Sequence, residues 1–188
     1  PSCALRAVGF VPFVDRRRPC CRLHTDPLHI HDTHHAHRDP VLNVLFAAVE
    51  MSPLAKVGGL GDVAGSLPHA LRANGDDVRV AMPMHGAIER TALNLTHLLH
   101  AVKVPWPGGD ERVDVWQADV RGVPVYLLEN ARYFGRPKVY GFDDDKERFL
   151  FFCDALLACA PHLGFRPDAV HAQDWHSALL LTRLAADD

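Results

Sequence analysis

A parallel α/β sheet flanked by helices on both faces is predicted by three observations. Short apolar, partly β-branched runs read as strands buried on two sides. Segments of helical periodicity fall between them, and glycine and proline mark the junctions. Leu42-Asn-Val-Leu-Phe-Ala-Ala48 is the first such run. A loop of glycines follows, and then Val63, Leu67, Ala70 and Leu71 recur at helical spacing before Asn74-Gly75, a C-terminal stop. Val78-Arg-Val-Ala-Met82 supplies the next strand, which completes a β-loop-α-β unit of the kind that crosses over right-handed.

Three further strand-like runs cover 98–104, 112–118 and 123–128, separated by Pro107-Gly-Gly-Asp110 and Arg121-Gly122, so a hairpin insertion feeding another sheet strand is expected. From Asp143 a helix of about 18 residues opens with carboxylates in its first turn, where the helix dipole favours negative charge. Gly164 and Pro167 end it. Asp168-Ala-Val-His-Ala172 reads as a buried strand and 175–186 as the closing helix, an alternation that gives a doubly wound sheet.

Residues 1–40 differ from the rest. They hold six of the 13 histidines, six arginines and three of the five cysteines, with no lysine or glutamate, and read as a disordered tail. Within them the run from His29 to His37 has enough imidazoles to hold a divalent ion, against the simpler reading of an unstructured extension. Residues 41–188 form the predicted domain and carry a net charge of −5, within a chain of net charge −3, which argues against a nucleic-acid-binding surface spread over the whole domain, and no nucleic-acid partner is expected. The chain is 48% hydrophobic, yet no apolar run reaches the ~18 residues of a membrane span. The odd cysteine count, with no CxxC pair, suits a reducing compartment, and a cytoplasmic protein is expected.

Ligands of open α/β sheets sit beyond the carboxyl ends of the strands. There the sequence is unusual twice. After the first strand comes Glu50-Met-Ser-Pro-Leu-Ala-Lys-Val-Gly-Gly-Leu-Gly-Asp-Val63, in which Gly58 and Gly59 leave amides open, Lys56 brings a point charge and a helix start adds unpaired N–H groups, a match for a diphosphate. The alternative is that the glycines serve only close helix packing. A P-loop is excluded because Lys56 precedes the glycines, and a dinucleotide fingerprint fits poorly because Gly59 lies 11 residues past the strand. After the later strand comes His171-Ala-Gln-Asp-Trp-His176, which puts His171, Asp174 and His176 at a sheet mouth, unless the histidines are packing residues. The spacing is not that of an HExxH zinc helix, and no GxSxG elbow is present, so neither a catalytic metal nor nucleophilic hydrolysis is expected. A third cluster, Tyr133 to Pro137 with Tyr140 to Phe149, mixes aromatic rings and carboxylates, which suits carbohydrate as well as an ordinary core beside a helix start.

Taken in order, the Lys-Val-Gly-Gly-Leu-Gly-Asp-Val run at 56–63 with Glu50 and Pro53, the Tyr133-Phe-Gly-Arg-Pro137 stretch, the Asp-Asp-x-x-Arg-Phe run at 144–149 and Val170-His-Ala-Gln-Asp-Trp-His176 resemble the N-terminal half of the bacterial glycogen synthase and plant starch synthase family. The resemblance covers about residues 42–186. It implies the GT-B fold, two Rossmann-like domains facing across a cleft, with this chain giving the first domain and the second one missing. It also implies retaining transfer of glucose from ADP-glucose to an α-1,4-glucan, with no cofactor and no metal ion, in the cytoplasm, or in a plastid if the source is a plant or alga. By the same resemblance Lys56, Gly58 and Gly59 lie at the donor phosphates and His171 at the glucose hydroxymethyl group. Asp144 or Asp145 supplies the acidic residue, with Asp145 standing where asparagine is commoner, and Tyr140, Asp174 and His176 shape the substrate pocket. A non-catalytic glucan-binding or scaffold domain is the alternative, and a nicotinamide-binding oxidoreductase a more distant one.

Overall fold

The computed structural model describes residues 6–8 and 41–186. Seven strands form one sheet: β1 (Arg6–Val8), β2 (Asn43–Ala47), β3 (Asp77–Pro83), β4 (Thr96–Val104), β5 (Glu111–Val120), β6 (Val123–Glu129) and β7 (Ala169–Ala172). Their spatial order is β1-β7-β2-β3-β6-β5-β4. The pairs from β1 to β6 are parallel, whereas β6–β5 and β5–β4 are antiparallel, so the expected hairpin extends the parallel sheet at one edge and makes it mixed.

Three helices cover the two faces: α1 (Gly59–Ala73), α2 (Asp145–Cys159) and α3 (Ala178–Ala186). Alternation along β2 shows why both faces need cover, since successive side chains of a strand point to opposite sides. Leu45, Ala47 and Val49 join a core with Phe149, Phe152 and Leu156 of α2 and Leu180 of α3. Val44, Phe46 and Ala48 join another with Ala64, Leu67 and Leu71 of α1. A strand buried on both sides reads as an unbroken apolar run, which is why β2 and β3 are plain in the sequence. The helix expected from Asp143 is α2 extended by a 3₁₀ turn at Ala160–His162, and a 3₁₀ turn at Trp175–Ser177 precedes α3.

One element falls inside the segment expected to be a tail. Residues 6–8 pair in parallel with β7, matching Arg6 to Ala169 and Val8 to His171. The edge of β7 offers backbone donors and acceptors, and any three extended residues can take them. The run from His29 to His37 lies outside the described residues. Among the described residues no helix is long and apolar enough to cross a membrane.

Candidate functional site

Strands β2 and β7 are hydrogen-bonded neighbours with Ala47 opposite Ala172, so the segments that follow them emerge side by side. Glu50 follows β2, and Asp174, Trp175 and His176 follow β7. Together with Gly58, Gly59 and Leu60 at the start of α1, and Tyr140 and Asp145 at the start of α2, they line an open hollow of about 370 Å³. Its position, past the carboxyl ends of adjacent parallel strands, is where ligands of this architecture bind.

The floor is built on Glu50, which is 2% exposed. Its Oε2 accepts the N–H groups of Val57 (2.6 Å) and Gly58 (3.0 Å), and its Oε1 accepts the Tyr140 hydroxyl. Burial pushes the Glu50 carboxyl up, but the hydrogen bonds from Tyr140, Gly58 and Val57 outweigh it and hold the group below the usual glutamate range. Tyr140 is correspondingly pushed up, first by burial and then by Glu50, and stays protonated as a donor. Behind the floor His85 is buried, and its Nε2–H donates to the Val49 carbonyl at 2.8 Å, bracing the strand end beside Glu50.

The glycines of the loop divide into two kinds. Among the described residues a Cβ at Gly58 or Gly59 would meet nothing within 4 Å, and neither glycine has a positive φ, so neither their packing nor backbone geometry calls for glycine there. At Gly61 a Cβ would lie 3.0 Å from Lys56 Cγ, and at Gly65 it would lie 2.8 Å from the Ser52 carbonyl oxygen. Packing therefore explains the second pair and not the first. Gly58 caps α1 without a side-chain hydrogen bond, and the N–H groups of the first helical turn have no intrahelical acceptor, which leaves an electropositive helix end at the hollow.

The opposite wall is aromatic and acidic. His176 is 6% exposed, stacks on Tyr140 at 5.0 Å between centroids and packs edge-on against Phe149 at 4.8 Å. Burial lowers its pKa, against the pull of Asp174, Glu50 and Asp145, so the imidazole is neutral at pH 7. Asp145 accepts the N–H groups of Gly141 (2.7 Å) and Phe142 (3.2 Å) and the guanidinium of Arg148 (2.6 Å). Burial raises its pKa, and these three donors more than reverse the rise. Arg148 is wholly buried and also donates to the carbonyls of Tyr133 (2.7 Å) and Val139 (3.0 Å), so one side chain fixes both Asp145 and the 133–141 loop. Asp174 has φ 66° and ψ 177°, a region normally left to glycine, and such an outlier costs about 1–3 kcal/mol.

Six of the nine residues singled out in the sequence thus come together: Gly58, Gly59, Tyr140, Asp145, Asp174 and His176. Three lie beside the hollow and not in its lining. Lys56 pairs with Asp62 at 2.7 Å on the surface, Asp144 binds Arg136, and His171 stacks on Phe46 at 4.3 Å while its Nε2 meets Gln173 Oε1 at 2.9 Å. The Gly58 N–H expected at a phosphate donates to Glu50, which leaves the amides from Gly59 onward for a ligand. Glu50, Leu60 and Trp175 are lining residues that residue types alone did not single out; for Glu50 the available signal was a lone carboxylate directly after an apolar strand. Among the described residues no lysine or arginine lines the hollow, so these walls favour hydroxyl-rich groups, and positive character enters from the α1 end and Lys56 at its margin. Burial pushes the thiols of Cys153 and Cys159 up to about 12, which removes them as nucleophiles.

The family described as starch synthase catalytic domain matches residues 43–188. Glycogen synthase of Syntrophotalea carbinolica is 41% identical over 155 residues, covering 78% of this chain and 32% of that protein. Glycogen synthase of Caldicellulosiruptor saccharolyticus is 43% identical over 147 residues, covering 77% and 30%. Among solved structures, the catalytic domain of starch synthase IV from Arabidopsis thaliana, bound to ADP and acarbose, superposes with a TM-score of 0.71 at 33% identity, over 79% of this chain and 31% of that one. The chain spans about a third of the length of these relatives. With the family matching across β2 to β7 and the hollow, this chain belongs to the starch synthase catalytic-domain family.

Proposed function

We propose that this chain forms the N-terminal Rossmann-like domain of a glycogen or starch synthase, a retaining hexosyltransferase that moves glucose from ADP-glucose to the non-reducing end of an α-1,4-glucan. The observation that carries the reading is the pair Gly58 and Gly59, side-chain-free beside a hollow although no atom of the described residues lies within 4 Å of where a Cβ would stand. A ligand that must approach backbone amides at a helix start accounts for both residues.

In this reading the donor diphosphate lies against the first turn of α1, with Lys56 swung over from Asp62. That pair is exposed, so releasing it costs little. As the bond from the glucose C1 to the phosphate oxygen breaks, negative charge grows on the diphosphate, and the helix amides and Lys56 stabilise it where it develops. Asp145, Asp174 and neutral His176 hold sugar hydroxyls, Tyr140 and Trp175 offer rings to their C–H faces, and His171 reaches the hydroxymethyl group. Asp144 acts through Arg136 at the rim. ADP-bound and acarbose-bound starch synthase IV supports both ligand classes, and the proposed setting is the cytoplasm, or a plastid in a plant or alga.

Joined to the remainder of the catalytic domain of the Syntrophotalea carbinolica relative, the chain should incorporate labelled glucose from ADP-glucose into glycogen. A folded chimera with no incorporation would contradict the proposal. The second reading, a non-catalytic glucan-binding domain, draws on Trp175, which is 56% exposed at the rim of a chamber lined, among the described residues, by carboxylates and no cationic side chain. Retention of this chain on glycogen, with no transfer by the chimera, would select it.

A further inference from the structure

His97 and His100 on β4 and Asp114 on β5 stand apart from the hollow, and none of the three lines it. Residues three apart on a regular strand point to opposite faces. Here they do not, because the pairing of β4 with β5 slips twice, between His97 and Leu99 and again between Leu99 and Val102. Each slip adds a residue to β4 and turns the chain. Ala101 within the second slip has φ 50°, and its N–H donates to Asp114 Oδ1 at 2.6 Å. The bulged backbone therefore holds the carboxylate in place with Oδ2 free to face the imidazoles.

Both imidazole-to-carboxylate distances match an edge of a coordination shell. Asp114 Oδ2 lies 3.3 Å from His97 Nε2 and 3.3 Å from His100 Nδ1, and all three ligand atoms fall within 4.8 Å of one another. A tetrahedral ion with bonds of about 2.0–2.1 Å has ligand-to-ligand edges of about 3.3–3.4 Å. The orientation is buttressed as well: the His97 ring stacks on Trp116 at 4.2 Å and 17°. Glu129, opposite Asp114 on β6, is neutralised by a two-pronged bond from Arg90 (2.6 and 2.9 Å), so Asp114 keeps its own charge for an ion.

The geometry points to a divalent transition-metal site of the zinc class at His97 Nε2, His100 Nδ1 and Asp114 Oδ2, on the antiparallel edge of the sheet. Two imidazoles and one carboxylate suit zinc and its first-row neighbours, not calcium or magnesium, which take oxygen ligands. Water completes the shell, since His100 is largely exposed. The bound ion ties the bulged outer strand to its neighbour, a structural clasp distinct from the sugar site.

The test uses the full chain with the six histidines and three cysteines before residue 41 changed to Gln and Ser, so that those groups do not compete. Zinc is titrated calorimetrically and its effect on the melting temperature recorded. The expected result is one equivalent bound, a rise in melting temperature, and a loss of affinity of about tenfold or more in both His100→Gln and Asp114→Asn. Circular dichroism of the zinc-free variants checks that they fold. Parent-like zinc affinity in both folded variants, or no saturable binding at about millimolar zinc, would overturn the assignment.

Discussion

Within eight residues the chain uses glycine for two opposite purposes. Gly61 and Gly65 are glycine because something is there: the Lys56 stem and the Ser52 carbonyl stand where a Cβ would go. Gly58 and Gly59 are glycine although none of the described residues stands within 4 Å of where a Cβ would go. The difference separates the part of the loop that holds α1 to the strand end from the part that faces the hollow. It teaches that an unused space beside an uncapped helix end is a better mark of a ligand site than a glycine-rich sequence.

The sharpest ways to break the comparison start on the packed side. His85 braces the strand end next to Glu50, and its pKa is lowered to about 4, chiefly by burial. A histidine with a depressed folded pKa costs nothing above its unfolded value and destabilises as the pH falls. Stability should therefore drop by about 3 kcal/mol between pH 6.5 and 4 on account of this residue. Urea unfolding across that range should show a shallower acid limb in His85→Gln, which keeps a donor for the Val49 carbonyl and cannot titrate; an unchanged limb would put the acid sensitivity elsewhere.

Next is Gly65→Val, whose added carbons meet backbone at 2.8 Å and cannot be accommodated by a side-chain shift. It should lose about 2–3 kcal/mol of stability by overpacking. On the open side, Lys56→Ala in the chimera should lower kcat/KM by about 100-fold, in line with loss of one positioned charge on a developing anion, with little change in melting temperature because its pair with Asp62 is exposed. The smallest effect expected is a gain. Asp174→Gly relieves a backbone conformation that suits glycine, so it should raise stability by about 1 kcal/mol while weakening glucan binding, the signature of strain kept for a ligand.

The parallel core was legible because burial on two faces leaves an apolar run, and Asn74-Gly75 and Gly164 with Pro167 marked where the first two helices end. The antiparallel edge was legible only as a hairpin, since turn residues do not state which sheet edge a ribbon joins. The site was legible in part. Gly58, Gly59, Tyr140, Asp145, Asp174 and His176 converge as their motifs suggested, because β2 and β7 are neighbours and ligands gather where such strands end. Glu50 escaped notice as a lining residue because its role depends on amides seven and eight residues away and on a hydroxyl 90 residues away. Arg148 stood in the sequence only as a member of the Asp-Asp-x-x-Arg-Phe run, and its role as a buried brace is visible only from its burial and partners. His97 and His100 could not be paired from spacing, since their sharing of a face is made by two register slips that leave no mark in the alternation of residues. The strand at residues 6–8 pairs with the edge of β7, a partner far along the chain that three residues of local sequence do not announce.

The most direct test of the central claim sets Gly59→Val beside the parent chimera, measuring ADP-glucose kcat/KM and melting temperature on the same preparations. The added Cβ at residue 59 meets none of the described residues within 4 Å, so the fold should keep its melting temperature while kcat/KM falls by about 100-fold or more from displaced substrate. A variant that melts early, or one that turns over like the parent, would mean that the space beside Gly59 is not where the activated sugar binds.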